Sequence, residues 1–151
     1  MDHEEIAVSC FDSGFSCSQS ILSTFGPRFG LDRELALRVA GAFGGGMARM
    51  GETCGAVTGA LMVIGLCYSK VKPEDDEAKE LTYRLVNRYV EEFKQQYGSI
   101  SCRDLLGCDL STVEGRLSAK QNDLFNSKCR SFVRSSAKII ESLLGSAKPF
   151  D

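Results

Sequence analysis

The chain has no tryptophan, a single histidine and only three prolines in 151 residues. The one imidazole, His3, lies next to a terminus, where chains fray, so His-based acid–base catalysis and mixed Cys/His zinc sites are removed. No Cys-x-x-Cys occurs, which excludes a thioredoxin-like motif and the ordinary ferredoxin and zinc-ribbon patterns; without Cys-x-x-Cys-His there is no haem attachment either. Walker and dinucleotide fingerprints are missing, so no nucleotide cofactor is expected. Charge of one sign is scarce as well: the formal net charge is -2 with no basic block or stripe, which argues against nucleic acid as a partner. The longest uncharged run, Thr53 to Ser69, falls short of the roughly 18 to 20 apolar residues of a spanning helix and is diluted by Gly55, Gly59 and Gly65. The acidic start Met1-Asp2-His3-Glu4-Glu5 leads into no apolar leader segment, so a cytoplasmic protein without membrane contact is expected.

Cysteine, by contrast, is abundant. Seven are spread over positions 10, 17, 54, 67, 102, 108 and 129. In a reducing compartment such a number points to metal binding or redox chemistry rather than to structural disulfides, although a free cysteine also serves as a small core hydrophobe. The hydrophobic fraction of 43% and charged fraction of 25% suit a single globular domain over 1–151.

The organising stretch is Thr53 to Cys67, which reads as a buried helix. Residues four apart stack on one helix face, so Gly55 and Gly59 line up beside Ala56 and Ala60. Each interior glycine costs about 1 kcal/mol relative to alanine, so that face must serve the close approach of another backbone or of a bound group. The rest of the chain also reads as helix. Ile6 to Phe11 is a short apolar helix, and Ser16-x-x-Gln19 is a capping box opening a second. A third follows Asp32, with Leu35, Leu37, Val39 and Ala40 as its apolar positions, and is interrupted by Gly44-Gly45-Gly46. Leu81, Leu85, Tyr89, Phe93 and Tyr97 define a long helix from about Asp75 to Tyr97, begun by acidic residues and stopped at Gly98. A short helix starts at Cys102, the polar stretch after Ser111 reads as loop, and Asp123 to Leu144 forms the last amphipathic helix. The expected fold is an all-α bundle of six or seven helices around the glycine-rich one.

Three cysteines follow a hydroxyl residue at a helix start: Ser16-Cys17, Thr53-Cys54 and Ser101-Cys102. A sulfur in a first helical turn meets unpaired N–H groups and the positive end of the helix dipole, which favours the thiolate, the nucleophilic and metal-binding form. Cys129 lies on the apolar face of the last helix, Cys10 and Cys67 read as packing residues, and Cys108 sits beside a loop. The triplet Gly44-Gly45-Gly46 is either a nest of backbone amides facing an anion or cluster, or a turn between packed helices. Arg49 and Glu52 either tune the Cys54 thiolate or form a solvated ion pair.

The segments Gly14-Phe15-Ser16-Cys17-Ser18-Gln19, Phe43 to Met47, Gly51-Glu52-Thr53-Cys54-Gly55-Ala56-Val57-Thr58-Gly59-Ala60 and Cys102-Arg103-Asp104-Leu105-Leu106-Gly107 resemble the redox-active C_GCAxxG_C_C family, over about residues 5 to 145. Here the order is Cys-Gly-Ala-x-x-Gly, whereas the family name is written Gly-Cys-Ala. The resemblance implies that the four characteristic cysteines are Cys17, Cys54, Cys102 and Cys129, with Cys108 as an alternative to the third or fourth. The family is similar to the cluster-bearing part of split-Soret cytochromes, which implies an iron–sulfur site.

Three functions compete. In the first, Cys17, Cys54, Cys102 and Cys129 bind one metal centre, an iron–sulfur cluster before any other, for electron transfer with a redox partner, and Gly45, Gly46 and Gly55 let backbone approach it. In the second, the protein is a metal-free thiol/disulfide couple in which Cys54 attacks and Cys17 or Cys102 resolves. In the third it is a helical binding module whose cysteines only pack. A homodimer is compatible with all three.

Overall fold

The computed structural model describes residues 2–146, and their architecture is all-α, without a strand among them. Eight α-helices are present in this range: α1 His3–Asp12, α2 Cys17–Phe25, α3 Arg33–Ala40, α4 Gly55–Tyr68, α5 Asp76–Tyr97, α6 Cys102–Leu106, α7 Val113–Gln121 and α8 Arg130–Ser146. Two short 3-10 turns, Gly26–Phe29 and Gly41–Phe43, extend α2 and α3, and a π-helical segment, Phe125–Cys129, runs directly into α8.

The glycine-rich helix α4 forms the centre. Its Ala56, Val57, Ala60, Val63 and Cys67 are wholly buried, and α2, α5 and α8 pack around it. Its glycines serve the approach of α2. A Cβ on Gly55 would lie 3.0 Å from the Ser18 amide nitrogen, and one on Gly59 would lie 3.0 Å from both the Ser18 carbonyl oxygen and the Ile21 Cβ. The neighbour that the small-residue face accommodates is therefore the α2 backbone. Across the core, the Tyr89 hydroxyl of α5 donates to Ser136 Oγ of α8 at 2.8 Å, and Ser136 donates to the Ala56 carbonyl of α4 at 2.8 Å. Three helices are thus tied at the first turn of the central one. Helix α1 packs against α8, joined at its rim by Arg130–Asp12 and by Arg134 to Glu4 and Glu5.

Helix starts follow the expected caps. The Ser16 box is complete, with Ser16 and Gln19 each satisfying the other's backbone N–H, and Asp32, Asp75 and Ser101 cap α3, α5 and α6. Gly98, at φ 81°, ends α5 as a left-handed C-cap.

Two expectations fail locally. The polar stretch after Ser111 is not loop: α7 runs through it, capped by the Thr112 hydroxyl, which accepts from the Gly115 amide at 2.9 Å. Gly115 permits this turn, because a Cβ there would fall 1.7 Å from the Asp109 carbonyl oxygen. The last helix is also not regular from Asp123, since the π-helical turn precedes it and places Cys129 at the junction.

Candidate functional site

The segment between α3 and α4 sets the site. Gly45, Gly46, Met47, Ala48 and Arg49 all take left-handed backbone, with φ between 50° and 69°. L-residues pay about 1–2 kcal/mol each for that conformation, so three consecutive non-glycine residues store strain of the kind found at functional sites. The turn is held by Arg49 N–H to Gly44 O at 3.1 Å, Gly51 N–H to Gly45 O at 3.2 Å and Glu52 N–H to Gly46 O at 2.9 Å.

The chain leaving this turn pairs with the start of α6. Cys54 N–H donates to Ile100 O at 2.8 Å, Cys102 N–H to Glu52 O at 2.6 Å and Arg103 N–H to Gly51 O at 3.1 Å, around an antiparallel bridge between Thr53 and Ser101. Residues almost fifty positions apart are thereby locked side by side, which sets the Cys54 and Cys102 sulfurs on one wall. Gly46 faces Cys102 at the limit of contact: a Cβ there would come within 2.6 Å of the Cys102 Cβ. Gly55 similarly makes room for Cys17, whose Cβ would be 3.2 Å away.

Cys17, Cys54, Cys102 and Cys129, contributed by four separate elements, line one cavity of about 1210 Å³. Gly45, Gly46 and Gly55 line it too. Cys54, Cys102 and Cys129 are buried and Cys17 is half-buried, fronting the space. Cys17 and Cys129 are neighbours in this lining, close enough for each thiol to set the acidity of the other. The remaining three cysteines lie outside the lining: Cys10 is against Ser23 Oγ at 3.5 Å, Cys67 is buried at the far end of α4, and Cys108 is half-buried near Cys102 and Cys129. His3 is remote, its ring stacked 4.9 Å from Phe25 and bonded to Glu141. Among the described residues, no three Cys, His, Asp or Glu side chains are disposed to hold a single metal ion.

The thiolate expectation is overturned at all three helix-start cysteines. Burial pushes Cys54 and Cys102 up to about 12, and Cys17 is pushed up by its hydrogen bond to Cys129 and by burial. Only Cys129 is lowered, because Cys17 donates to it. A dipole effect worth up to about 1 kcal/mol at a helix end cannot offset desolvation of an anion in a dry wall. Cys54 is, moreover, the N-cap of α4 rather than a first-turn residue, and its side chain makes no capping hydrogen bond. Arg49 and Glu52 neither pair with each other nor set the Cys54 thiol. Arg49 instead lines the cavity, and Glu52 acts through its backbone.

Sequence reasoning missed part of the lining. Arg116 and Lys120 of α7, with Phe11 and Phe15 near the end of α1, complete the lining. The sequence signal for it is Thr112, a hydroxyl N-cap at the start of the stretch expected as loop.

The family model described as "Putative redox-active protein (C_GCAxxG_C_C)" matches residues 15–143. No curated protein and no solved structure matches the chain.

Proposed function

The chain belongs to the C_GCAxxG_C_C family of redox-active proteins, and from that premise we propose that Cys17, Cys54, Cys102 and Cys129 hold one iron–sulfur cluster for electron transfer. The observation that carries this is the meeting of those four cysteines at one cavity, which among the described residues has no imidazole on its wall and Asp12 as its one carboxylate.

The donor set fits such a group. A single four-coordinate ion needs its sulfurs drawn within roughly 4 Å of one another, given metal–sulfur bonds near 2.3 Å. A multi-iron cluster takes the same four thiolates from a wider ring. Four cysteines lining one roomy cavity supply that number of thiolates. Buried thiols with pKa values near 12 need a strong cation to release their protons, which metal coordination supplies. When bound, the cluster supplies one-electron redox chemistry. The protein's own part is to orient the sulfurs, with Gly46 and Gly55 keeping the wall thin at Cys102 and Cys17, and to screen them from water. Purification without air should give a coloured protein containing iron and acid-labile sulfide. A colourless, metal-free product after reconstitution with iron and sulfide would reject this proposal.

One juxtaposition favours a second function, a metal-free couple. Cys17 and Cys129 line the same cavity as neighbours, and loss of two protons and two electrons to an acceptor disulfide would join them. In that case the thiol count falls by two on oxidation, and Cys129, the one lowered thiol, is the attacking sulfur rather than Cys54.

A further inference from the structure

The cavity is far larger than four sulfurs and a cluster require. At about 1210 Å³ it exceeds the roughly 300–1000 Å³ typical of small-molecule pockets. Its two ends differ in character. Buried cysteines and glycines form the floor, whereas the outer part carries three cations, Arg49, Arg116 and Lys120. Arg49 and Lys120 are exposed and have no carboxylate partner among the described residues; Arg116 is half-buried and spends one nitrogen on the Leu110 carbonyl at 2.9 Å. The single acid of the lining, Asp12, is already taken by Arg130 through two hydrogen bonds of 2.9 and 3.1 Å. Phe11, Phe15 and Phe125 add apolar lining to the same cavity.

The same wall carries unused donors. In the left-handed turn the N–H groups of Gly45, Gly46 and Ala48 make no hydrogen bond among the described residues, and all three residues line the cavity. The adjacent Gly45 and Gly46 amides, free within a turn, are donors of the kind that bind anions, while the Met47 N–H between them and Ala48 is spent on the Phe43 carbonyl at 3.2 Å. Three uncompensated cations, free amides and phenyl rings around one space describe a binding site for a particular chemistry.

We propose that the outer part of the cavity binds a small organic anion, a carboxylate or phosphate on an apolar body, which sits over the sulfur floor as the protein's reaction partner or effector. Arg49, Arg116 and Lys120 take the charged group, and Phe11, Phe15 and Phe125 take the apolar body. The walls alone define this site, so it stands whether the floor holds a cluster or a disulfide pair.

Calorimetric titration of the anaerobically purified protein with benzoate and phenyl phosphate tests the site, with benzamide as the neutral isostere and inorganic phosphate as the bare anion. At least one aromatic anion is expected to bind saturably, one per chain, and more tightly than both controls. Arg49→Gln and Lys120→Gln should each weaken it by about tenfold, the scale of one charge-assisted hydrogen bond. Arg116→Lys should weaken it less than Arg116→Gln, and Arg84→Gln, on the exposed face of α5, should leave it unchanged. Raising salt should weaken binding in the wild type. Absence of saturable binding, equal binding of benzamide, or indifference to the cation variants overturns the proposal. If the three cations serve only to balance a cluster, the variants will shift its reduction potential while no probe binds, which also overturns it. Iron and sulfide measured in the same samples keep the two proposals separable, since a metal-free protein that binds benzoate sinks only the cluster.

Discussion

Replacing Gly46 by alanine tests how tightly the strained turn is fitted to the cysteine wall. Two costs add at this position. With φ at 68°, alanine takes on the left-handed penalty of about 1–2 kcal/mol. Its Cβ would also lie 2.6 Å from the Cys102 Cβ, 2.7 Å from the Glu52 amide nitrogen and 2.9 Å from the Gly51 carbonyl carbon. Two of those three atoms are backbone, pinned by the bonds from Glu52 N–H to Gly46 O and from Cys102 N–H to Glu52 O, so the clash is relieved only by moving the turn. Overpacking of this kind costs about 1–3 kcal/mol, giving a total loss of about 2–5 kcal/mol. Gly98→Ala isolates the first cost, since Gly98 has φ 81° and open space where a Cβ would stand. Urea denaturation of the reduced, metal-free protein should show Gly46→Ala losing about 1–3 kcal/mol more than Gly98→Ala. Equal losses would refute the reasoning, because backbone strain alone would then explain both.

Other consequences are as direct. Tyr89→Phe and Ser136→Ala each remove part of the network on the Ala56 carbonyl and should cost about 1–2 kcal/mol, with the double variant losing less than the sum; thermal melts of the four proteins measure the coupling. Alkaline pH should destabilise the metal-free protein. Cys54, Cys67 and Cys102 sit near 12 when folded against about 8.5 in an unfolded chain, so the folded state holds their protons more tightly. That contribution is whole below about pH 8.5 and is lost as pH climbs towards about 12, which melting temperatures from pH 7 to 11 will show. Alkylation of the reduced protein at neutral pH should reach Cys129 before Cys54, because only the former is biased towards thiolate.

What the sequence disclosed, and what it hid, follows from the range of the interactions. Helices with a strong apolar period or a sequence-local cap were legible: Asp32, Asp75 and Ser101 act through the amide three residues on, and Gly98 through its own left-handed backbone. The closeness of some other backbone to Gly55 and Gly59 was legible too, but not that it belongs to α2, since that is a long-range fact. Helix α7 was hidden because only Gly115 and Ala119 are buried on it, leaving no apolar period to read. In α3 the apolar residues misled. Leu35 and Val39 are about half exposed, and the buried contacts are made by Ala36 and Ala40. The four cysteines that line the cavity could be picked from the family resemblance, but their protonation could not. Position at a helix start is visible in sequence, whereas desolvation by residues from four elements is not. The left-handed run through Met47, Ala48 and Arg49 was equally invisible, because no residue type there announces positive φ.

The most direct test is iron and acid-labile sulfide counted, cysteine by cysteine, after reconstitution without air. Cys17→Ser, Cys54→Ser, Cys102→Ser and Cys129→Ser should each lose iron, sulfide and visible absorption, while Cys10→Ser, Cys67→Ser and Cys108→Ser keep all three. Iron retained in the first group, or lost alike from both, would contradict a centre held by those four sulfurs.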